Sequence, residues 1–125
     1  MCKSLADYVF LDCTSSLDDP LSVYGMAAAD KAVQLVTPDI RSAAYYASFE
    51  KTYEQIKGKS IGVINITDKD LYLPVGEVKA GFSNAKYILP YSMYLKQQYI
   101  TGELTHKISD QKFSAVCRGI AGAVL

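Results

Sequence analysis

Two polar side chains follow short apolar runs, at positions where they could contact a ligand. Asp12 follows residues 8–11, and a carboxylate there could meet a phosphate or hold a magnesium-bound water. Asn65 follows residues 61–64, and its amide could hydrogen-bond the edge of a base because it offers both a donor and an acceptor. A loop cap at Asp12 and an Asx turn at Asn65 are the simpler structural interpretations. The residue types alone leave both interpretations open.

Four short apolar runs are typical of strands that are covered on both faces in a parallel sheet. They are residues 8–11, 32–36, 61–64 and 87–89. Each is followed by a helix-start signal, and the signals are Asp19-Pro20, Thr37-Pro38, Leu73-Pro74 and Ser92. The alternation predicts an α/β fold of three layers, with a mostly parallel sheet of four or five strands flanked by helices. Ligands of such sheets bind beyond the carboxyl ends of the strands.

Helical periodicity is clearest in two segments. Apolar residues recur every three or four positions from Ala43 to Ile56, which predicts one helix that Gly58 ends. Near the C-terminus, Ser109 is the expected helix cap. A single apolar stripe follows it, formed by Phe113, Val116, Ile120 and Val124. We expect this last helix to pack on the sheet.

Length and composition indicate one ordinary globular domain. The chain has 125 residues, of which 50% are hydrophobic and 21% are charged, so a single α/β domain over residues 1–125 is expected. Its 13 basic and 13 acidic residues balance, which gives no electrostatic signature for direct contact with nucleic acid. Three cysteines at unrelated positions indicate reduced thiols, and no apolar run is long enough for a membrane span. We therefore expect a cytoplasmic protein.

Several motifs, in this order, resemble the ParA/MinD-type deviant Walker ATPases from their Walker B strand to their C-terminus. They are residues 7–17, residues 27–33, Leu35-Val36-Thr37-Pro38-Asp39, Gly62-Val63-Ile64-Asn65, Ile88-Leu89-Pro90-Tyr91 and the helix from Lys112. The resemblance implies a partial P-loop NTPase fold with ATP and magnesium as cofactors. It implies that Asp12 holds magnesium through water, that Asn65 reads adenine, and that Pro90 and Tyr91 lie against the base.

The chain departs from that family at the phosphate-binding half. Thr14 stands where the family usually has proline, and the P-loop sequence G-x-x-x-x-G-K-[ST] occurs nowhere in these residues. Phosphoryl transfer depends on that loop, its lysine and the metal, so we expect no ATP hydrolysis by this chain alone and assign no catalytic residue. In the family the P-loop strand separates the strands that match residues 8–11 and 32–36. The expected partner is therefore a missing N-terminal half or a second copy in a homo-oligomer.

Two other interpretations stay open. The first is a non-enzymatic, receiver-like α/β interaction module with Asp12 as a phosphoacceptor, although no acidic pair precedes the first predicted strand end and no Lys-Pro follows the last one. The second is a structural remnant whose pocket residues bind nothing. Labelling of Asp12 by acetyl phosphate tests the former, and nucleotide binding tests the latter.

Overall fold

A computed structural model describes residues 5–14, 16–70, 73–82, 84–102 and 109–125. The chain divides into two compact units, one that ends at Asp30 and one that begins at Lys31. Each unit is described by itself. The expectation of one domain over the whole chain remains a prediction.

The first unit is organised around the helix α1 (Pro20–Ala28). Asp19 caps this helix, because its carboxylate accepts hydrogen bonds from the Ser22 N–H at 3.0 Å and the Ser22 hydroxyl at 2.6 Å. Pro20 occupies the first helical turn, as the sequence predicts. The N–H of Thr14 donates to the Ser22 hydroxyl oxygen at 3.0 Å, which ties the preceding segment to the start of the helix.

The strand predicted at residues 8–11 is wrong for this structure, since residues 8–14 have no regular secondary structure. Tyr8, Phe10 and Leu11 are 59%, 80% and 58% exposed. An apolar strand of this kind needs a hydrogen-bonded neighbour, and no described strand pairs with this segment. Asp12 therefore does not stand at a strand end.

The second unit contains a parallel sheet of three strands. They are β1 (Ala32–Val36), β2 (Ser60–Asn65) and β3 (Ala85–Leu89), hydrogen-bonded in the order β1-β2-β3. The predicted α/β class is confirmed, and so are these three predicted strands, with small differences at their ends. The predicted count of four or five strands is wrong for the described part of the chain, because the first apolar run stays outside the sheet.

Five α-helices accompany these strands in the described ranges. They are α2 (Ile40–Ser48), α3 (Glu50–Ile56), α4 (Val75–Gly81), α5 (Met93–Thr101) and α6 (Gln111–Val124), with a short 3₁₀ helix at Lys57–Lys59. None of the described helices is long and apolar enough to cross a membrane.

Helices cover both faces of the sheet. On one face, Ile64 of β2 packs with Val78 and Phe82, and the ring of Tyr46 meets Phe82 edge-on at 4.6 Å between centroids. On the other face, the Tyr87 hydroxyl of β3 donates to the Gly119 carbonyl of α6 at 3.0 Å. The second unit thus has the three layers that the sequence predicts.

The single helix predicted from Ala43 to Ile56 is two helices, separated at Phe49. Phe49 leaves helical geometry with φ −115° and ψ 17°. The break accompanies a stacked pair between Tyr46 and Tyr53, whose ring centroids lie 5.0 Å apart. Seven residues of uninterrupted helix would rise about 10.5 Å, so side-chain stacking on the core favours the bend over a straight helix.

An aspartate begins α2. The Asp39 carboxylate accepts hydrogen bonds from the N–H groups of Arg41 and Ser42, each at 2.9 Å, and from the Thr37 hydroxyl. These donors, the Thr37 hydroxyl first among them, lower the pKa of Asp39 below its ordinary value of 3.8. The sequence predicts that a helix starts after Thr37-Pro38, and it does. The residue that caps the helix is the next one, Asp39.

An aspartate also begins α6. The Asp110 carboxylate accepts a hydrogen bond from the Phe113 N–H at 3.0 Å, and this bond is the main cause that lowers the pKa of Asp110. The predicted cap at Ser109 is wrong by one residue. Serine and aspartate are both common helix caps, so residue type alone does not show which of Ser109 and Asp110 caps α6.

The contact between β2 and β3 at Gly62 generates a prediction for stability. A Cβ atom at Gly62 would lie 2.6 Å from the Asn84 carbonyl oxygen and 2.8 Å from the Ala85 nitrogen, and both are backbone atoms that cannot turn aside. We expect Gly62→Ala to lower the free energy of unfolding by about 1–3 kcal/mol in urea titrations. Gly76→Ala is the control, because nothing lies within 4 Å of its added Cβ. Equal effects at both positions would contradict this account.

The cap of α2 generates a prediction for pH dependence. Asp39→Ala should lower the free energy of unfolding by about 1 kcal/mol at neutral pH. Since the pKa of Asp39 is lowered by folding, its stabilisation is complete above the pKa of the unfolded chain and is lost as the pH falls through the lower, folded value. Urea titrations across acidic pH should show the two proteins converge. Asp70→Ala, at an exposed carboxylate, should behave like wild type throughout.

Candidate functional site

The carboxyl ends of the three strands meet at one edge of the second unit. Because the strands are parallel, Thr37, Asn65 and Pro90 follow or end them on the same side of the sheet. Loops at this edge are the usual ligand-binding positions of an open parallel sheet. The candidate site is built here.

Asn65 and the Pro90-Tyr91 loop are neighbours. Asn65 is opposite Leu89 in the register of β2 and β3, and the Ile66 N–H donates to the Leu89 carbonyl at 3.0 Å. Adjacent strands lie about 4.8 Å apart, so the loop that begins at Pro90 runs directly beside Asn65. The Asn65 side chain is half-buried and makes no hydrogen bond to another described residue. Among the described residues, no group therefore competes with a ligand for its amide donor and acceptor.

Tyr91 brings an aromatic ring to the same edge. It is half-buried, and its hydroxyl donates weakly to the Met93 sulfur at 3.7 Å. The Lys69 ammonium lies 6.0 Å from the centre of the Tyr91 ring, at the limit of a cation–π contact. The ring and the ammonium together form an aromatic surface that carries positive charge.

Lys69 is the residue that sequence reasoning missed. It follows Asn65 by four positions, in an exposed polar loop that continues from β2. The sequence did contain one signal for Lys69: it is a basic residue in the loop that follows Asn65. Nothing in the sequence placed its ammonium over Tyr91, because that contact joins loops from two different strands.

Two helix starts hold the Tyr91 loop. Ser92 is buried and immediately precedes α5, and Asp110 caps α6. The buried Ser92 hydroxyl has no hydrogen-bond partner among the described residues, and it contributes less than the Phe113 N–H to the lowered pKa of Asp110. Tyr91 is therefore attached to a packed part of the unit and not to a long free loop.

The polar groups at the end of β1 serve the structure. The hydroxyl oxygens of Thr37 and Ser42 are 2.6 Å apart, and the Thr37 N–H donates to the Ser42 hydroxyl at 3.3 Å. Asp39 completes this network as the cap of α2. Each of these groups already has partners, so the cluster explains how α2 begins and offers little to a ligand.

Two cavities lie beside α2 and not at Asn65. One, of about 380 Å³, is open and is lined by Asp39, Ile40, Arg41 and Leu73. The other, of about 260 Å³, lies between α2 and α4, with Tyr46 and Phe82 in its apolar wall. Neither is lined by Asn65, Pro90 or Tyr91. The candidate site is therefore placed by the chemistry of its residues and by the register of the strands.

Asp12 belongs to the other unit, where it is exposed. Within the described ranges, no three acidic, histidine or cysteine side chains come together in a group that could hold a metal ion. One carboxylate is enough to contact magnesium through a water when phosphates supply the inner ligands, so Asp12 fits that limited role. Within the second unit the structure thus brings together Asn65, Pro90 and Tyr91, and Asp12 belongs to the first unit.

No family model, curated protein or solved structure matches the chain, so the residues themselves carry the functional argument.

Proposed function

We propose that this chain is the C-terminal, base-binding portion of a ParA/MinD-like ATP-binding protein of the partitioning or localisation class. In this proposal it is cytoplasmic and is not catalytically competent alone. One observation carries the proposal: the amide of Asn65, at the end of β2, and the ring of Tyr91, in the loop after β3, stand at the carboxyl edge of a parallel sheet.

The chemistry of this pair suits adenine. A base edge with adjacent donor and acceptor atoms is matched by the two ends of a carboxamide, as in contacts between asparagine and adenine. Tyr91 offers its ring for stacking, which is largely indifferent to the identity of the base. Pro90 fixes the backbone φ where the chain leaves β3 and so directs the loop. In this proposal Asn65 supplies the selectivity and Tyr91 supplies much of the affinity.

A separate N-terminal half would supply the phosphate site. Magnesium would neutralise charge on the phosphates when it is bound, and Asp12 would contact it through a water. This division of labour explains why a chain with base-reading residues contains no G-x-x-x-x-G-K-[ST] sequence. All residues that this chain contributes would bind and orient the nucleotide.

Exposed apolar surfaces support the need for a second polypeptide. Val33 and Leu35 of the edge strand β1 are exposed, as are Tyr8 and Phe10 in the first unit. A strand supplied by the N-terminal half would pair with β1, and contact with that half would also cover the apolar side chains of residues 8–11. Burial of these side chains would then stabilise the assembled protein.

The receiver-like alternative gains no support from a specific observation. It requires Asp12 at the end of a first strand, and residues 8–14 form no strand. Phosphorylation of Asp12 by acetyl phosphate would reopen that alternative.

The first prediction from this proposal concerns activity. The chain alone should release no phosphate from ATP above background, because it has no phosphate-binding loop to stabilise the transition state. A phosphate-release assay with magnesium measures this directly. Magnesium-dependent ATP hydrolysis by the chain alone, lost in Asp12→Asn, would overturn the proposal that this chain is not catalytically competent alone.

The second prediction concerns the assembled protein. When the chain is mixed with the N-terminal half of a ParA/MinD-type ATPase, the halves should associate, and ATP with magnesium should raise their thermal midpoint. Tyr91→Ala should weaken ATP binding about tenfold through loss of stacking, whereas Tyr91→Phe should retain it. Asn65→Ala should reduce the preference for ATP over other nucleoside triphosphates.

Matched variants make this test specific. Thr67→Ala, at an exposed hydroxyl in the same loop as Asn65, should bind ATP like the wild type. Asp12→Ala should remove the magnesium dependence of the thermal shift and leave the base contribution intact. Two results would contradict the proposal: the halves do not associate, or the shift in thermal midpoint is the same in the Asn65, Tyr91 and Asp12 variants as in the wild type. The interpretation of the chain as a structural remnant that binds no nucleotide would then remain.

A further inference from the structure

We propose that, when no complementary half is present, two copies of this chain pair through the outer edge of β1. The two strands would run antiparallel about a two-fold axis and join the two three-stranded sheets into one. This inference uses the same open edge as the proposed function, but it requires no nucleotide and none of the residues at the candidate site.

The backbone of β1 is paired on one side only. Its ladder runs to β2, and no other described strand adjoins it. No backbone hydrogen bond from Ala32–Val36 to any other described segment is present. An edge of this kind presents a row of unpaired N–H and C=O groups that another strand can use.

The two edges of the sheet differ in protection. The outer strand β3 carries the exposed Lys86, and its ladder to β2 is irregular between Gly62 and Val63. Strand β1 reads Ala-Val-Gln-Leu-Val, without charge or proline, and its register with β2 is unbroken. Charges and irregular geometry discourage pairing between sheet edges. The unprotected edge is therefore that of β1.

Apolar side chains extend the contact beyond the backbone. Val33 and Leu35 are opposite Ile61 and Val63 of β2, which are buried on the face covered by α6. Val33 is 43% exposed and Leu35 is 61% exposed, so this face is covered over β2 and open over β1. A partner that only paired with the backbone would leave both exposed. A partner with apolar residues on the same face would bury them.

A second copy meets both requirements. With the two-fold axis at Gln34, Val33 lies opposite the partner's Leu35, and Leu35 lies opposite the partner's Val33, on the same face of the joined sheet. The pairing is self-complementary, because each copy of β1 offers its partner the same two apolar side chains.

Light scattering over a concentration series tests the association. The wild-type chain should form dimers at micromolar concentrations, and Leu35→Lys should remain monomeric, because its two symmetry-related charges would be placed beside apolar partners. Ile100→Lys is the matched control: Ile100 is 73% exposed, lies on α5 and should not affect the dimer. Circular dichroism checks that each variant is folded. A wild-type monomer at every soluble concentration, or a dimer unaffected by Leu35→Lys, would overturn the inference.

Cysteine pairing tests the register. In a background with the three native cysteines replaced by alanine, Val33→Cys and Leu35→Cys proteins should form a disulfide when they are mixed and none when each is alone. Directly opposite residues approach closely enough for the bond, whereas two copies of the same residue lie on the diagonal. Crosslinking of Val33→Cys to itself in preference to the mixture would contradict this register.

The inference and the proposed function can fail separately. Addition of the N-terminal half should convert the dimer to a complex of one chain with one half, because both use the β1 edge. A monomeric chain that still gains ATP binding with that half would refute only the dimer. A dimer lost in Leu35→Lys, from a chain that never gains ATP binding, would refute only the proposed function.

Discussion

Burial of β2 on both faces is the constraint on which the second unit depends. Val63 and Ile64 are fully buried, although they point to opposite faces of the sheet. A strand of this kind is stable only with a hydrogen-bonded neighbour on each side and a helical layer above and below. β1, β3 and the flanking helices meet those needs, and the remaining elements take their places from them.

The approach of β3 to β2 is unusually close at one end. The backbone of Asn84 fills the space where a side chain at Gly62 would lie, and the Gly62 N–H donates to the Asn84 carbonyl at 2.9 Å. The Asn84 amide donates in turn to the Ser60 hydroxyl at 2.6 Å and to the Ser60 carbonyl at 3.1 Å. These contacts hold the start of the β2–β3 ladder, and the register then shifts by one residue between Gly62 and Val63, so that Asn65 is opposite Leu89.

The sequence predicts the three strands of the sheet well, because continuous apolar runs between helix-start signals have few other stable outcomes. The shared role of Asn65, Pro90 and Tyr91 at a base is implied by the family resemblance alone and stays a prediction. Residues 8–11 satisfy the same pattern and form no strand, since hydrophobicity does not supply a hydrogen-bonded neighbour. The break at Phe49 and the contact of Lys69 with Tyr91 depend on tertiary packing between side chains, which local periodicity does not encode.

The all-parallel pairing of this sheet also has a kinetic consequence. No two strands are joined by a hairpin, since α2 and α3 intervene between β1 and β2, and α4 intervenes between β2 and β3. Every ladder must therefore close a long loop before it gains its first hydrogen bond, and the entropy of closure is lost before burial compensates for it. The helices can form early because their contacts are local. The sheet forms only when strands that are far apart in the sequence come into contact. We therefore expect this unit to fold more slowly than a helical bundle of similar length, with its apolar strands exposed to other chains until the sheet forms.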